Sequence, residues 1–314
     1  MRTLEYHRRA MVEEYPYLII GGAPKAGTTS LYRWLADHPQ VCASSLKETR
    51  FFLDLSSKLL SSARYSGDNL QDYGEYFRNC STPSEVRIDA TPDYLFSHTA
   101  LEIADLLPHS RILFVLRDPV ERMVSWYKFA RQKDLIESSM TFEDYINAQI
   151  GLSVDADTPI HLQALTQCCY ENYLPAFRAA FGSRCLEIDF GELCDSPGSV
   201  ISSICAFINI DDAYYSNYEF KAKNESRAYR NAHALRLYDA LRRRVAQSLR
   251  ASPRLSKILR PPNRMIKGLL TRNRTAPAEV QISDDVAELI HSELKEMLSP
   301  ESSSGSQVPE RGAT

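Results

Sequence analysis

Short apolar runs alternate with helical periodicities along most of this chain. Tyr17-Leu18-Ile19-Ile20 ends in Gly21-Gly22 and predicts a strand buried on both faces. Leu31, Trp34 and Leu35 then recur at helical spacing, which predicts a helix over 28–38, stopped by His38-Pro39. Val86-Arg87-Ile88-Asp89 is a second, shorter strand. Ile112-Leu113-Phe114-Val115-Leu116 is the clearest buried strand, and Arg117-Asp118-Pro119 ends it. Helical patterns follow over 120–131, 142–150 and 162–180, then a strand over 185–188 and a helix over 198–208. Strands alternating with helices predict an α/β fold with a central, mainly parallel sheet flanked by helices. An amphipathic helix is expected over 282–298. Residues 300–314 are rich in Ser, Gly and Pro and read as a disordered tail.

Composition narrows the picture little. The 314 residues are 44% hydrophobic and 25% charged, with a formal net charge of −3, which gives no reason to expect nucleic-acid binding. The balance is uneven, however. Residues 241–278 hold eleven Lys or Arg and no acid, interleaved with aliphatics. That pattern suits a solvated helix and linker or, in a sharper reading, peripheral contact with anionic lipid headgroups. The organisation expected is an N-terminal extension over 1–14, a main domain over 15–240, a basic segment and helix over 241–299, and the tail. Seven cysteines without CxxC spacing predict reduced thiols, with neither a zinc site nor a disulfide framework. With no signal-like or membrane-length apolar run, a cytoplasmic protein is expected, membrane-peripheral at most.

The chemistry begins after the first strand. Gly22-Ala23-Pro24-Lys25-Ala26-Gly27-Thr28-Thr29 has the spacing of a nucleotide phosphate loop, but Thr28 stands where the loop's lysine belongs and Lys25 comes three residues early. Backbone N–H groups of Gly27–Ser30 at a helix start would still cradle an anion. Thr28, Thr29 and Ser30 add hydroxyl donors. The best later strand ends in Arg117, where a carboxylate would hold Mg²⁺. Asp118 beside Pro119 reads as a helix N-cap. Cations in place of a metal-binding acid predict a donor rich in negative charge and no obligate metal. Lys47-Glu48-Thr49-Arg50-Phe51-Phe52 places an acid between two bases, so Glu48 is a candidate general base kept ionised by its neighbours. Arg122 reads as a solvated helix charge.

Together these motifs resemble the sulfotransferases that use 3′-phosphoadenosine-5′-phosphosulfate (PAPS), nearest the carbohydrate and heparan sulfate branch and its bacterial relatives. The resemblance covers about residues 15–235 and implies a P-loop-type parallel sheet. It implies that Lys25, Ala26, Gly27, Thr28, Thr29 and Ser30 bind the 5′-phosphosulfate, that Arg117 and Ser125 bind the 3′-phosphate, and that Glu48 is the catalytic base beside Lys25. Asp89-Ala90-Thr91-Pro92-Asp93-Tyr94 resembles a second acceptor-side loop. Asn224-Glu225-Ser226-Arg227-Ala228-Tyr229-Arg230 is similar to a late loop over the donor, with Arg230 as a further 3′-phosphate ligand. Ala90 stands where glycosaminoglycan enzymes often carry a lysine, which argues against a heparan-type acceptor. The activity implied is sulfuryl transfer to a hydroxyl, or secondarily an amine, of a carbohydrate, glycolipid or small metabolite. A Mg²⁺–ATP-dependent P-loop kinase acting on a small molecule is the alternative.

Overall fold

Five parallel strands form one sheet in the order β2-β3-β1-β4-β5. The computed structural model describes residues 12–80, 85–155, 157–221, 280 and 282–299. The expected late loop with Arg230, the basic segment 241–278 and the tail 300–314 lie outside the described residues, as do residues 1–11.

β1 (Tyr17–Gly22) is buried along its whole length at the centre, between β3 (Val86–Ala90) and β4 (Ser110–Leu116). Its unbroken apolar run follows from that position, because helices cover both faces of a parallel sheet. Short β2 (Val41–Ala43) lies beyond β3, and β5 (Cys185–Asp189) lies beyond β4. From β1 the chain runs to the edge strand β2, returns to β3 between the two, and then crosses to β4 and β5 on the other side of β1. The strand order therefore reverses between β1 and β4, and in such sheets ligands bind outside the carboxyl ends at that point. Both the Lys25 loop and Arg117 leave strands there.

Helix α1 (Thr28–Ala36) follows β1 and buries Leu31, Tyr32, Trp34 and Leu35, the face predicted from its spacing. Helix α2 (Pro119–Gln132) follows β4. Its Asp118 N-cap accepts a hydrogen bond from the Glu121 N–H at 3.0 Å, with Pro119 in the first turn, as the sequence predicts. Helix α3 (Phe142–Asn147) packs on α2.

The helix expected over 162–180 is instead a series of single turns, at Ile160–Leu162, Thr166–Cys168 and Tyr170–Asn172, before α4 (Leu174–Phe181). Pro175 explains the break. It lacks an N–H and its ring collides with the carbonyl four residues back, so it is tolerated only in a first turn. Helices α5 (Phe190–Asp195) and α6 (Pro197–Ile208) follow β5.

Two apolar clusters result. The larger surrounds the sheet; the smaller joins α2 and α3 to the segment at Ala164–Cys169. The C-terminal helix α7 (Asp284–Met297) closes the smaller one, burying Val286, Ile290 and Leu294 at four-residue intervals.

The expectation of reduced thiols throughout is corrected at one pair. Cys42 on β2 and Cys80 form a disulfide, their Cα atoms 5.6 Å apart. Thirty-eight residues separate them, and only the packing of the segment after Phe77 against β2 brings them together. Cys168, Cys169, Cys185, Cys194 and Cys205 are free. Among the described residues, no helix is long and apolar enough to cross a membrane.

Candidate active site

A cavity of about 290 Å³ opens at the carboxyl end of the sheet. Pro24, Lys25, Gly27, Thr28 and Thr29 form one wall, Glu48, Arg50, Pro92 and Asp93 another, and Trp126 and Phe129 of α2 a third.

The first wall is built for an anion. Gly27 is the N-cap of α1 with φ +78°, and no side chain caps the helix. A Cβ at Gly27 would stand 2.8 Å from Cε2 of Phe190, so both the backbone angle and the space require glycine. First-turn N–H groups thus face the cavity mouth with the positive end of the helix dipole behind them. The Ser30 N–H donates to the Gly27 carbonyl at 2.9 Å, closing the first turn. Ala26 is fully buried and contributes shape only through its backbone.

Lys25 sits in the left-handed region at φ 73° and is half-buried. Its Nζ lies 4.5 Å from the centroid of Phe129, and no carboxylate pairs with it among the described residues. Burial first, and then the charges of Arg117, Lys133 and Arg122, push its pKa down to about 8. A cation crowded by cations and short of a counter-ion marks a place prepared for a polyanion.

Arg117 approaches from the end of β4. Its guanidinium donates to the Lys25 carbonyl at 3.1 Å, pairs with Glu121 at 3.1 Å and lies 4.4 Å from the Phe190 ring centre. Phe190 therefore touches both the glycine of the loop and the arginine beside it, a role with no signal in the sequence. Ser125 is half-exposed in the second turn of α2. It does not line the cavity with Lys25 and Glu48.

Arg122 overturns its expected place as a solvated charge. It has no exposed surface. Its guanidinium donates to the carbonyls of Pro24 (3.1 Å) and Ala164 (2.9 Å), to Cys168 Sγ (3.2 Å) and to Gln167 Oε1 (3.3 Å). The residue ties the phosphate loop to the chain between α3 and α4. Helical periodicity hides this, because the partners lie in other segments.

On the second wall, Glu48 is held between Arg50 at 2.6 Å and Lys47 at 3.4 Å, the arrangement that its sequence neighbours predict. Glu48 and Arg50 both have positive φ, 64° and 57°. With Lys25 they are three non-glycine residues in a sparsely populated backbone region around one cavity, a concentration typical of functional sites.

What holds them there is Asp89 at the end of β3. Its fully buried carboxylate accepts hydrogen bonds from Thr49 (2.6 Å), Thr91 (2.9 Å), Tyr94 (3.0 Å) and Tyr73 (3.2 Å). Thr91 Oγ1 in turn accepts from the Arg50 N–H at 3.2 Å. One buried acid thus fastens the 47–52 loop to the 89–94 loop. Sequence reasoning placed Asp89 and Asp93 in an acceptor-side loop without giving either its own task, and assigned no role to Trp126 or Phe129.

A nucleotide-type phosphate loop thus lies at the switch point of a parallel sheet and faces a carboxylate across a cavity. Residues 16–244 match the family described as Sulfotransferase domain, and the chain belongs to that family. The bifunctional heparan sulfate N-deacetylase/N-sulfotransferase 1 of Xenopus laevis is 26% identical over 226 residues, covering 67% of this chain and 24% of that protein. The membrane-associated sulfotransferase kil1 of Dictyostelium discoideum is 31% identical over 120 residues, covering 37% of this chain and 23% of that protein. The chain thus spans about a quarter of the length of these relatives. Among solved structures, a sulfotransferase from Alicyclobacillus acidocaldarius superimposes with a TM-score of 0.56 at 22% identity, over 67% of this chain and 86% of that one, and shares the fold.

Proposed function

We propose that this protein moves the sulfuryl group of PAPS to a hydroxyl of a carbohydrate or other polyol acceptor, or secondarily to an amine, releasing adenosine 3′,5′-bisphosphate. The observation that carries this reading is Lys25, a cation without a carboxylate partner among the described residues, at the uncapped start of α1 and across one cavity from Glu48.

PAPS supplies the sulfuryl group. Lys25 and the N–H groups of Gly27, Thr28 and Thr29 face the position where charge develops on the leaving phosphate oxygen, and donors so placed lower the barrier. Glu48 accepts the proton of the attacking hydroxyl as the new S–O bond forms and the S–O bond to the leaving phosphate breaks, a contribution of typically ~10²–10⁴ in rate. Arg117 and Ser125 hold the 3′-phosphate and fix the in-line geometry. Arg230 is proposed as a further ligand from outside the described residues.

The kinase alternative needs a carboxylate open to Mg²⁺ at a strand end. Asp89, at the end of β3, is engaged by four side-chain donors, and β4 is followed by Arg117. Cations carry the neutralising role here, so transfer from PAPS in the presence of EDTA is the expected result.

The carbohydrate acceptor draws support from the relatives named for heparan sulfate N-sulfotransfer. For location, the Cys42–Cys80 disulfide supports an oxidising compartment over the cytoplasm. Peripheral membrane contact through 241–278 is a further proposal, read by liposome flotation with and without that segment. The decisive test of the activity is ³⁵S-PAPS turnover by wild type and Glu48→Gln. Glu48→Gln should lose turnover at least a hundredfold and keep its affinity for adenosine 3′,5′-bisphosphate; full turnover by that variant would remove Glu48 as the base.

A further inference from the structure

The cavity holds a second carboxylate that the transfer chemistry leaves unused. Asp93 lies in the turn after β3 and lines the same space as Glu48 and Lys25. Its situation differs from that of every other acid nearby. Asp89 is saturated by four donors. Glu48 is clamped by Lys47 and Arg50. The Asp93 carboxylate accepts no hydrogen bond and makes no ion pair among the described residues, although it is half-buried. Burial, followed by the nearby charge of Glu48, pushes its pKa up to about 6.

A second group in the same cavity also lacks a partner. Trp126 is 4% exposed, lines the cavity from α2, and its buried indole N–H has no hydrogen-bond partner. A buried polar group left without a partner is costly, and such groups in native proteins point to something that binds. An unpaired acceptor and an unpaired donor sharing one cavity with Phe129, Ile160 and Leu59 describe half of a binding site: polar groups that fix orientation within an apolar lining.

The charge balance says what the occupant is. Lys25 and the start of α1 face the donor anion, and Lys47 and Arg50 are engaged by Glu48. Glu48 balances one of the two charges of Lys47 and Arg50 and Asp93 balances the other, so the acceptor side carries no net positive charge to attract an anionic acceptor. We infer that Asp93 is a specificity residue: it accepts a hydrogen bond from a second hydroxyl of a neutral, hydroxyl-rich acceptor, with the Trp126 N–H donating to an acceptor oxygen, and it repels acceptors that carry a carboxylate or sulfate beside the reacting group. This inference rests on the sulfuryl-transfer reading and names the acceptor class for it.

The test uses the full-length protein saturated with adenosine 3′,5′-bisphosphate, so that the acceptor side is read without turnover. Immobilised neutral oligosaccharides and uronate-bearing oligosaccharides of the same length are probed with wild type, Asp93→Asn and Asp93→Ser. Wild type should retain neutral arms at least tenfold more strongly than uronate arms. Both variants should lose retention on the neutral arms by roughly ten- to a hundredfold, the range of a hydrogen bond to a charged group, and the gap between neutral and uronate arms should narrow. In the turnover assay the loss should fall on the acceptor KM more than on kcat, a split that general loosening of the site would not give.

Preference of wild type for uronate arms, or an unchanged profile in both variants, overturns the inference. Calorimetric titration with adenosine 3′,5′-bisphosphate separates the two levels. Wild type that fails to bind the bisphosphate removes the donor reading itself, whereas normal binding with an unchanged profile removes only the role of Asp93.

Discussion

The Arg122 guanidinium, wholly buried, donates from Nε to the Pro24 carbonyl at 3.1 Å and so holds the phosphate loop from behind. Three further acceptors surround it, and none is a carboxylate. Burial raises the Cys168 thiol pKa, and its Sγ passes a hydrogen bond on to the Ala164 carbonyl at 3.2 Å. Arg122→Met preserves much of the volume and leaves the Pro24 carbonyl and Gln167 Oε1 buried without the donors that Arg122 supplies. Each such loss costs about 1–3 kcal/mol, so a drop on the order of 3 kcal/mol is expected in chemical denaturation. Affinity for adenosine 3′,5′-bisphosphate should fall with it, because Pro24 and Lys25 would no longer be held.

Lys25 links stability to donor binding. Its pKa is about 8 in the folded chain against 10.5 when exposed. Between those values the unfolded chain binds more protons, so holding Lys25 charged costs stability below pH 8, and the cost fades as the pH rises from 8 to 10.5. Lys25→Met should therefore stabilise the free protein by about 1–2 kcal/mol while abolishing donor binding, the usual conflict between a prepared site and a stable one. A thermal shift measured with and without adenosine 3′,5′-bisphosphate reads both effects.

The same displaced pKa predicts proton uptake. At pH 8 about half of the Lys25 side chains are neutral in the free protein. A bound anion favours the charged form, so up to about half a proton should be taken up per bisphosphate bound. The phosphates add little, since their second ionisation lies near pH 6. Titration calorimetry at pH 8 in two buffers of different ionisation enthalpy measures the uptake. It should vanish at pH 6.5 as far as Lys25 is concerned, where the residue is already charged.

The parts of the molecule that were legible in the sequence are those governed by local rules. Strands β1 and β4 were readable because two-sided burial demands unbroken apolar runs, and the N-cap at Asp118 because Pro119 follows it. Lys25 and Glu48 stood out because an early lysine and an acid between two bases are chemically odd wherever they fall. The illegible parts depend on contacts between distant segments. Arg122 looks like any polar helix position until Ala164 and Cys168 fold over it. Asp89 and Asp93 lie four residues apart in one strand–loop, yet one is a saturated structural hub and the other an open carboxylate; only the positions of Thr49, Tyr73 and Tyr94 decide which is which. Three-residue β2 is too short to show a period at all.

Gly27 should tolerate no side chain. A left-handed residue costs roughly 1–2 kcal/mol when it carries a Cβ, and here that Cβ also meets Phe190 at 2.8 Å. Gly27→Ala is expected to reduce bisphosphate affinity at least tenfold. Adding Phe190→Leu should return part of the loss, because it removes the collision and leaves the backbone cost. Equal affinities for the single and double variants would show that Phe190 does not press on the loop. The comparison is a double-mutant cycle measured by calorimetry.

The Cys42–Cys80 disulfide should affect the two sides of the cavity unequally. It joins β2, which leads within five residues into the loop carrying Lys47 and Glu48, to the segment after Phe77. The phosphate loop leaves β1, two strands away in the sheet. Closing a loop of 38 residues lowers the entropy of the unfolded chain by an amount worth about 3–4 kcal/mol in the loop-closure picture. Cys42→Ser with Cys80→Ser should lower the unfolding midpoint accordingly, and peptide mapping of the unreduced wild type should recover residues 42 and 80 as one linked pair. Turnover, which depends on the placement of Glu48, should fall more than bisphosphate affinity, which depends on Lys25 and Gly27. Parallel losses in both would mean that the disulfide supports the whole sheet and not the acceptor-side loop in particular.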